Sequence, residues 1–161
     1  MNRPALAAAL LLLTACDGGG TAAEPSASPV RPASTDAEKA ALLASLPAPY
    51  ASADLDNGRR VFARCRACHT ITEGGPNMTG PNLYGVFGRE AGHKDGYNYS
   101  TALREAEFTW DAERLDHWLE NPREFLRGNK MSFPGIADAE DRRDLIAFLK
   151  VETGYASAPV E

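Results

Sequence analysis

Apolar positions in this chain gather in short stretches of helical period, separated by long runs with no period at all. Leu55, Val61 and Phe62 share one helical face over Leu55 to Arg64, with Gly58 one turn before Phe62. Leu115, Trp118 and Leu119 predict a helix over Asp111 to Glu120, with Thr109 as its cap. Pro122 ends that helix or opens a short turn through Arg123 to Leu126. A last helix near Ala137 to Glu152 carries Ile136, Leu145, Ile146, Phe148 and Leu149. Asp138, Glu140 and Asp141 suit its positive N-terminal end, and Gly154 can stop it. Between the helices, Thr70 to Thr101 is rich in Gly, Pro and Asn and sustains no strand alternation. So long a loop in a compact domain needs something to wrap.

The N-terminal third reads differently. Arg3, an apolar stretch from Ala5 to Leu13 and small residues before Cys16 predict a secretory leader over residues 1–15. The run is shorter than the roughly 20 residues a membrane span requires. Leu13-Thr14-Ala15-Cys16 is similar to a bacterial lipobox, which makes Cys16 the expected lipidated residue. Residues 16–52 then form a Pro/Ala/Ser-rich tether, too poor in large apolar groups to offset its ordering entropy. A flexible chain of about 36 residues has an r.m.s. span of about 30 to 36 Å. Good helix formers from Asp36 to Leu46, capped at Thr35 or Asp36, predict a transient rather than a docked helix within it. One domain over residues 53–153 and a tail over 154–161 complete the chain.

Candidate chemistry centres on Cys65-Arg66-Ala67-Cys68-His69. Two thiols one helical turn apart, followed by an imidazole, suit covalent attachment to two vinyl groups of one haem c with the histidine on its iron. A redox dithiol or half a zinc site shares the Cys-x-x-Cys spacing. With three cysteines in all, no second pair completes a zinc tetrahedron. No βαβ pattern surrounds the pair as a thioredoxin-like dithiol would require. For the opposite side of the iron, Met131 stands in the loop Gly128-Asn129-Lys130-Met131-Ser132-Phe133-Pro134-Gly135, whereas Met78 follows His69 too closely to double back. His93 and His117 are the rivals for a bis-histidine site, and a gap-filling role is the plain alternative for Met131.

From Val61-Phe62 and Cys65 to Thr70, the motifs continue through Gly80-Pro81-Asn82-Leu83-Tyr84-Gly85-Val86-Phe87-Gly88-Arg89 and Thr109-Trp110. Leu119-Glu120-Asn121-Pro122, Lys130-Met131 and Asp144-Leu145-Ile146-Ala147-Phe148-Leu149-Lys150 follow in order. In these motifs residues 54 to 152 resemble the class I c-type cytochromes of mitochondria and bacteria. The resemblance implies an all-α class I cytochrome c fold, its N- and C-terminal helices crossing where Gly58 and Phe62 meet Leu145 and Phe148. It also implies His69 and Met131 as iron ligands, and Pro81 as the carbonyl that fixes the His69 ring. Arg89, Tyr99 and Trp110 are implied as propionate partners, with Asn129 in place of the family's usual hydroxyl. Trp118 stands where the family often has a tyrosine beside the methionine.

With both axial positions filled, the implied role is a one-electron carrier rather than an enzyme, since thioether ligation favours ferrous iron. A peroxidase or gas sensor with a labile Met131, or a fixed electron-entry subunit, is the alternative. Loss of Arg3 with the leader leaves 16 basic and 22 acidic residues, a net charge of minus six. Yet Arg59, Arg60, Arg64 and Arg66 face no acid from Arg59 to His69, and Arg123, Arg127 and Lys130 meet only Glu124 from Asn121 to Gly135. By the family's geometry Arg60, Arg64, Arg66, Arg123, Arg127 and Lys130 form a docking face that steers the carrier toward acidic partners. The overall charge disfavours nucleic acid. The expected setting is a monomer, lipid-anchored on the periplasmic face of a bacterial inner membrane. There it would pass electrons from a quinol-oxidising cytochrome complex to a terminal oxidase.

Overall fold

The computed structural model describes residues 34–155. The leader and Cys16 lie outside them. The elements are α1 (Asp36–Ala44), a 3-10 turn (Tyr50–Ser52), α2 (Leu55–Phe62), α3 (Thr101–Arg104), α4 (Ala112–Glu120), α5 (Pro122–Phe125) and α6 (Ala139–Glu152). Among the described residues the β structure is a single isolated bridge, Glu90 to Thr109. None of their helices is long and apolar enough to cross a membrane.

Side chains set the helix boundaries. Asp54 accepts from the Asp56 and Asn57 amides at the start of α2, and Asp138 does the same for Glu140 and Asp141 at α6. For α4 the cap is Asp111, which accepts from the Arg114 amide. Thr109, the cap expected from sequence, lies two residues too early and pairs with Glu90 instead. Asn121 accepts from the Glu124 amide, so Pro122 opens α5 where its missing N–H costs nothing.

α2 crosses α6 at Gly58, where a Cβ would fall 2.2 Å from the Asp144 carbonyl oxygen and 2.7 Å from Phe148 Cβ. Only glycine admits that approach. Phe62 then reaches Phe148 with ring centroids 5.6 Å apart, and Leu145 and Ile146 are fully buried behind them. Polar bonds lock the crossing. The buried Asp144 carboxylate accepts from the Asp54 amide at 3.1 Å, Asn57 Nδ2 at 3.0 Å and Arg143 at 2.8 Å. Arg142, 6% exposed, ties α6 to Asp116 of α4 and to the Ile136 and Ala137 carbonyls.

The segment before α2 corrects the sequence reading. α1 is docked, not transient, and packing among the described residues already involves it ahead of residue 53. Thr35 and Glu38 form a reciprocal capping box. Lys39 Nζ lies 2.6 Å from Glu152 Oε1 on α6. Leu46 is 4% exposed and packs with Ala53 and Ala147, joined by Leu43, Tyr50 and Tyr155. The cause lies in α6, whose residues from Asp144 to Val151 are all buried. A helix buried on every side needs cover on two faces, and this strap supplies the second. Lys150 sits in the seam, with Nζ 3.5 Å from the Tyr155 ring centroid, 4.6 Å from Phe87 and 5.8 Å from Tyr50.

Two substitutions probe this packing. Leu46→Ala should cost about 2–3 kcal/mol in denaturant unfolding, as a cavity in a packed seam does; an exposed tether residue would cost almost nothing. Burial pushes the Asp144 carboxyl up, but its bonds to Arg143, Asn57 and the Asp54 amide outweigh this and hold it below the usual range. A depressed folded pKa contributes stability that is full above the unfolded value of about 3.9 and drains as pH falls through the folded one. Asp144→Asn should therefore be less stable at neutral pH and lose less than the wild type on acidification below about pH 4.

Candidate functional site

The chain leaves α2 in a continuing turn, and that turn builds the site. The Cys65 and Arg66 amides both donate to the Phe62 carbonyl, and the Cys68 and His69 amides donate to Cys65 at 3.0 Å. This one-turn offset brings both sulfurs to the wall of a cavity of about 240 Å³. Its other walls are mainly apolar, with Leu83, Val86, Leu115, Leu119, Leu145 and Leu149 among them. His69 and Met131 line it too, as do Arg89, Tyr99, Trp110 and Trp118.

His69 is held from behind. Its Nδ1 lies 2.8 Å from the Pro81 carbonyl, so Nδ1–H donates there and Nε2 is left as the free ring nitrogen. Burial holds the imidazole below its ordinary pKa, against the opposing pull of the Pro81 bond. The neutral form is the one that binds metal. Gly80 supports the ring: a Cβ there would stand 2.3 Å from His69 Cε1. Its amide donates to the Cys68 carbonyl at 2.9 Å, so the ring rests on bare backbone. Asn82, fully buried, donates to Thr70 Oγ1 at 2.7 Å and to the Thr72 carbonyl at 3.0 Å, and accepts from the Tyr84 amide. The long loop closes around that side chain.

At the polar end, Arg89 donates to the Tyr84 carbonyl at 3.0 Å and the Asn82 carbonyl at 3.3 Å. None of the ion pairs among the described residues gives it a carboxylate. Burial pulls its pKa down. A half-buried guanidinium on a cavity wall without a counter-ion suits a group that brings its own carboxylates. Tyr99 and Trp110 are 9% and 8% exposed. Trp110 packs edge-on to Trp118 at 5.4 Å, and Trp118 to Phe125 at 5.8 Å, fixing one wall.

Asn129 does not line the cavity. Its amide nitrogen donates to the Pro122 and Leu126 carbonyls at 2.7 and 2.8 Å, and its oxygen accepts from the Met131 amide at 2.9 Å. Both donors are engaged there, and the side chain shapes the Met131 loop. The rival histidines are also displaced: neither His93 nor His117 lines the cavity, and both are exposed. Among the described residues no cluster of three or more His, Cys, Asp or Glu could hold a metal ion. Burial pushes the Cys65 thiol up to about 11, with Arg64 opposing. A redox dithiol needs the opposite shift.

A turn carrying two free thiols, a backed imidazole and an apolar cavity with a guanidinium lacking a counter-ion define a covalent haem site, and the residues fit that group. The cytochrome c family profile matches residues 55–151. Cytochrome c of Kluyveromyces lactis is 40% identical over 105 residues, covering 65% of this chain and 96% of that protein. Cytochrome c of Chlamydomonas reinhardtii is 45% identical over 101 residues, or 62% of this chain and 90% of the relative. Among solved structures, cytochrome cH from Methylobacterium extorquens superposes with a TM-score of 0.57 at 44% identity, covering 60% of this chain and 97% of its own. The chain belongs to the cytochrome c family, whose members are electron carriers with one covalent haem c.

Gly80 and Asn82 lie inside the run from Gly80 to Arg89 read from sequence, but nothing in that run states their roles. A small residue directly before the imidazole's carbonyl partner was the available signal for Gly80; nothing local marks Asn82 as the residue on which the loop closes. Gly80→Ala should displace the His69 ring and cost the haem-loaded protein about 1–3 kcal/mol in denaturant unfolding. A ring free to move aside would leave stability within about 0.5 kcal/mol of wild type.

Proposed function

We propose that the protein carries single electrons between membrane redox complexes, and that His69 and Met131 would hold the iron of its haem. When bound, the haem supplies a one-electron ferric/ferrous couple. The observation that carries the reading is the convergence on one cavity of the Cys65–Cys68 turn, the neutral His69 and Met131. Pro81 and Gly80 fix the imidazole, Asn129 fixes the Met131 backbone, and the leucine-rich wall excludes water. A thioether on the second position favours the reduced state and leaves no site for a substrate. Arg89, Tyr99 and Trp110, all on the cavity wall, would receive the carboxylate end of the group.

The basic face supports docking to acidic partners. Arg60, Arg64, Arg66, Arg123, Arg127 and Lys130 are all exposed. Arg64 and Lys130 stand at the cavity wall itself, Arg64 over the Phe133 ring at 5.3 Å and Lys130 over Tyr97 at 5.0 Å. Arg60 is partly spent on Asp54, 3.8 Å away, and would steer less than the others. A quinol-oxidising complex as donor and a terminal oxidase as acceptor fit this arrangement. Lipidation at Cys16 and a place on the periplasmic face of the inner membrane complete the reading.

Met131→Ala should abolish the weak far-red charge-transfer band of the ferric protein and lower the midpoint potential, on the order of a few hundred millivolts. An unchanged spectrum would contradict Met131 as ligand. Raising salt from 10 to 200 mM, an arbitrary test range spanning Debye lengths of about 30 to 7 Å, should slow electron exchange with an acidic partner. A rate independent of salt would remove the steering role.

A further inference from the structure

Met78 is 47% exposed, the one large apolar side chain open to solvent among the described residues. Lone apolar residues on a surface are ordinary. Its setting is what matters. The loop around it is held on both sides: the Asn77 side chain donates to the Asp95 carbonyl at 3.0 Å and accepts from the Asn82 amide at 2.9 Å. The Met78 amide donates to the Gly80 carbonyl at 2.8 Å. Thr79 and Gly80, next in the chain, are walls of the haem cavity. The Thr79 carbonyl accepts from Tyr97 Oη at 2.6 Å, and Lys130 lies over that same ring. Gly80 in turn is bonded to Cys68, two residues from Arg66. Met78 thus stands one residue from the cavity wall, linked through Thr79 and Tyr97 to Lys130 and through Gly80 to the turn that carries Arg66.

We propose that Met78 is an apolar anchor of the electron-transfer interface, seated against an apolar patch within an acidic docking site on the redox partner. The proposal rests on the carrier reading above. Surrounding charge brings the partners together but adds little once they touch, whereas a desolvated apolar contact at the centre excludes water and sets residence. An unbranched, polarisable thioether adapts to more than one partner surface, as a carrier with separate donor and acceptor requires. Acidic partners follow from the exposed Arg64, Arg66, Arg123, Arg127 and Lys130.

The test uses the haem-loaded full chain as substrate for a purified terminal oxidase that accepts c-type cytochromes, followed by oxygen uptake. Met78→Ser should raise KM about fivefold, with kcat, the midpoint potential, ferricyanide exchange and the salt dependence unchanged. Met78→Leu should stay within about twofold of wild type, since it keeps the apolar contact. A KM for Met78→Ser within about twofold of wild type, or Met78→Leu as impaired as Met78→Ser, would overturn the anchor. A paired Arg64→Gln, Arg66→Gln variant separates the two readings. If it keeps the wild-type salt dependence while Met78→Ser is impaired, steering fails and the anchor stands; the converse overturns the anchor alone.

Discussion

The close approach of α2 and α6 at Gly58 is the constraint on which everything else is hung. It places Phe62 on Phe148, and Phe62 is the residue whose carbonyl starts the turn carrying both cysteines. A methyl group at Gly58 would push that turn away from the wall formed by Leu145 and Leu149. The Asp144 network holds the crossing from the side, bonding the start of α2 to the middle of α6. The haem site is therefore a consequence of how two helices touch, more than of the loops that line it.

Those loops do a different task. From Thr70 to Ser100 the backbone has almost no regular structure, and single side chains replace the missing ladder. Asn82 closes the first half, Arg89 bonds back to it, and Asn129 does the same for the segment bearing Met131. Among the described residues no buried side-chain nitrogen or oxygen is left without a partner. That satisfaction lets irregular backbone sit beside an apolar cavity without a desolvation penalty.

Much of this was legible in the sequence because the deciding signals were local. The Cys65 to His69 spacing, the helical period of Leu115, Trp118 and Leu119, and Asp138 before α6 each act over one or two turns. The misses share a different cause. The α1 strap looked like a tether because its own apolar content is slight; its docking depends on the far side of α6, which no short window reveals. The orientation of Asn129 follows from the Pro122 and Leu126 carbonyls brought near it by α5, which no short window reveals either. α3 is only four residues long and lies at the end of a loop, too short for a period to show.

The central claim is the proposed one, that a haem held by His69 and Met131 makes this chain a carrier. An optical redox titration of the purified haem-loaded protein tests it most directly. The account predicts a single one-electron transition between low-spin states, with the far-red charge-transfer band present in the ferric form and lost on reduction. A high-spin ferric spectrum lacking that band would contradict it.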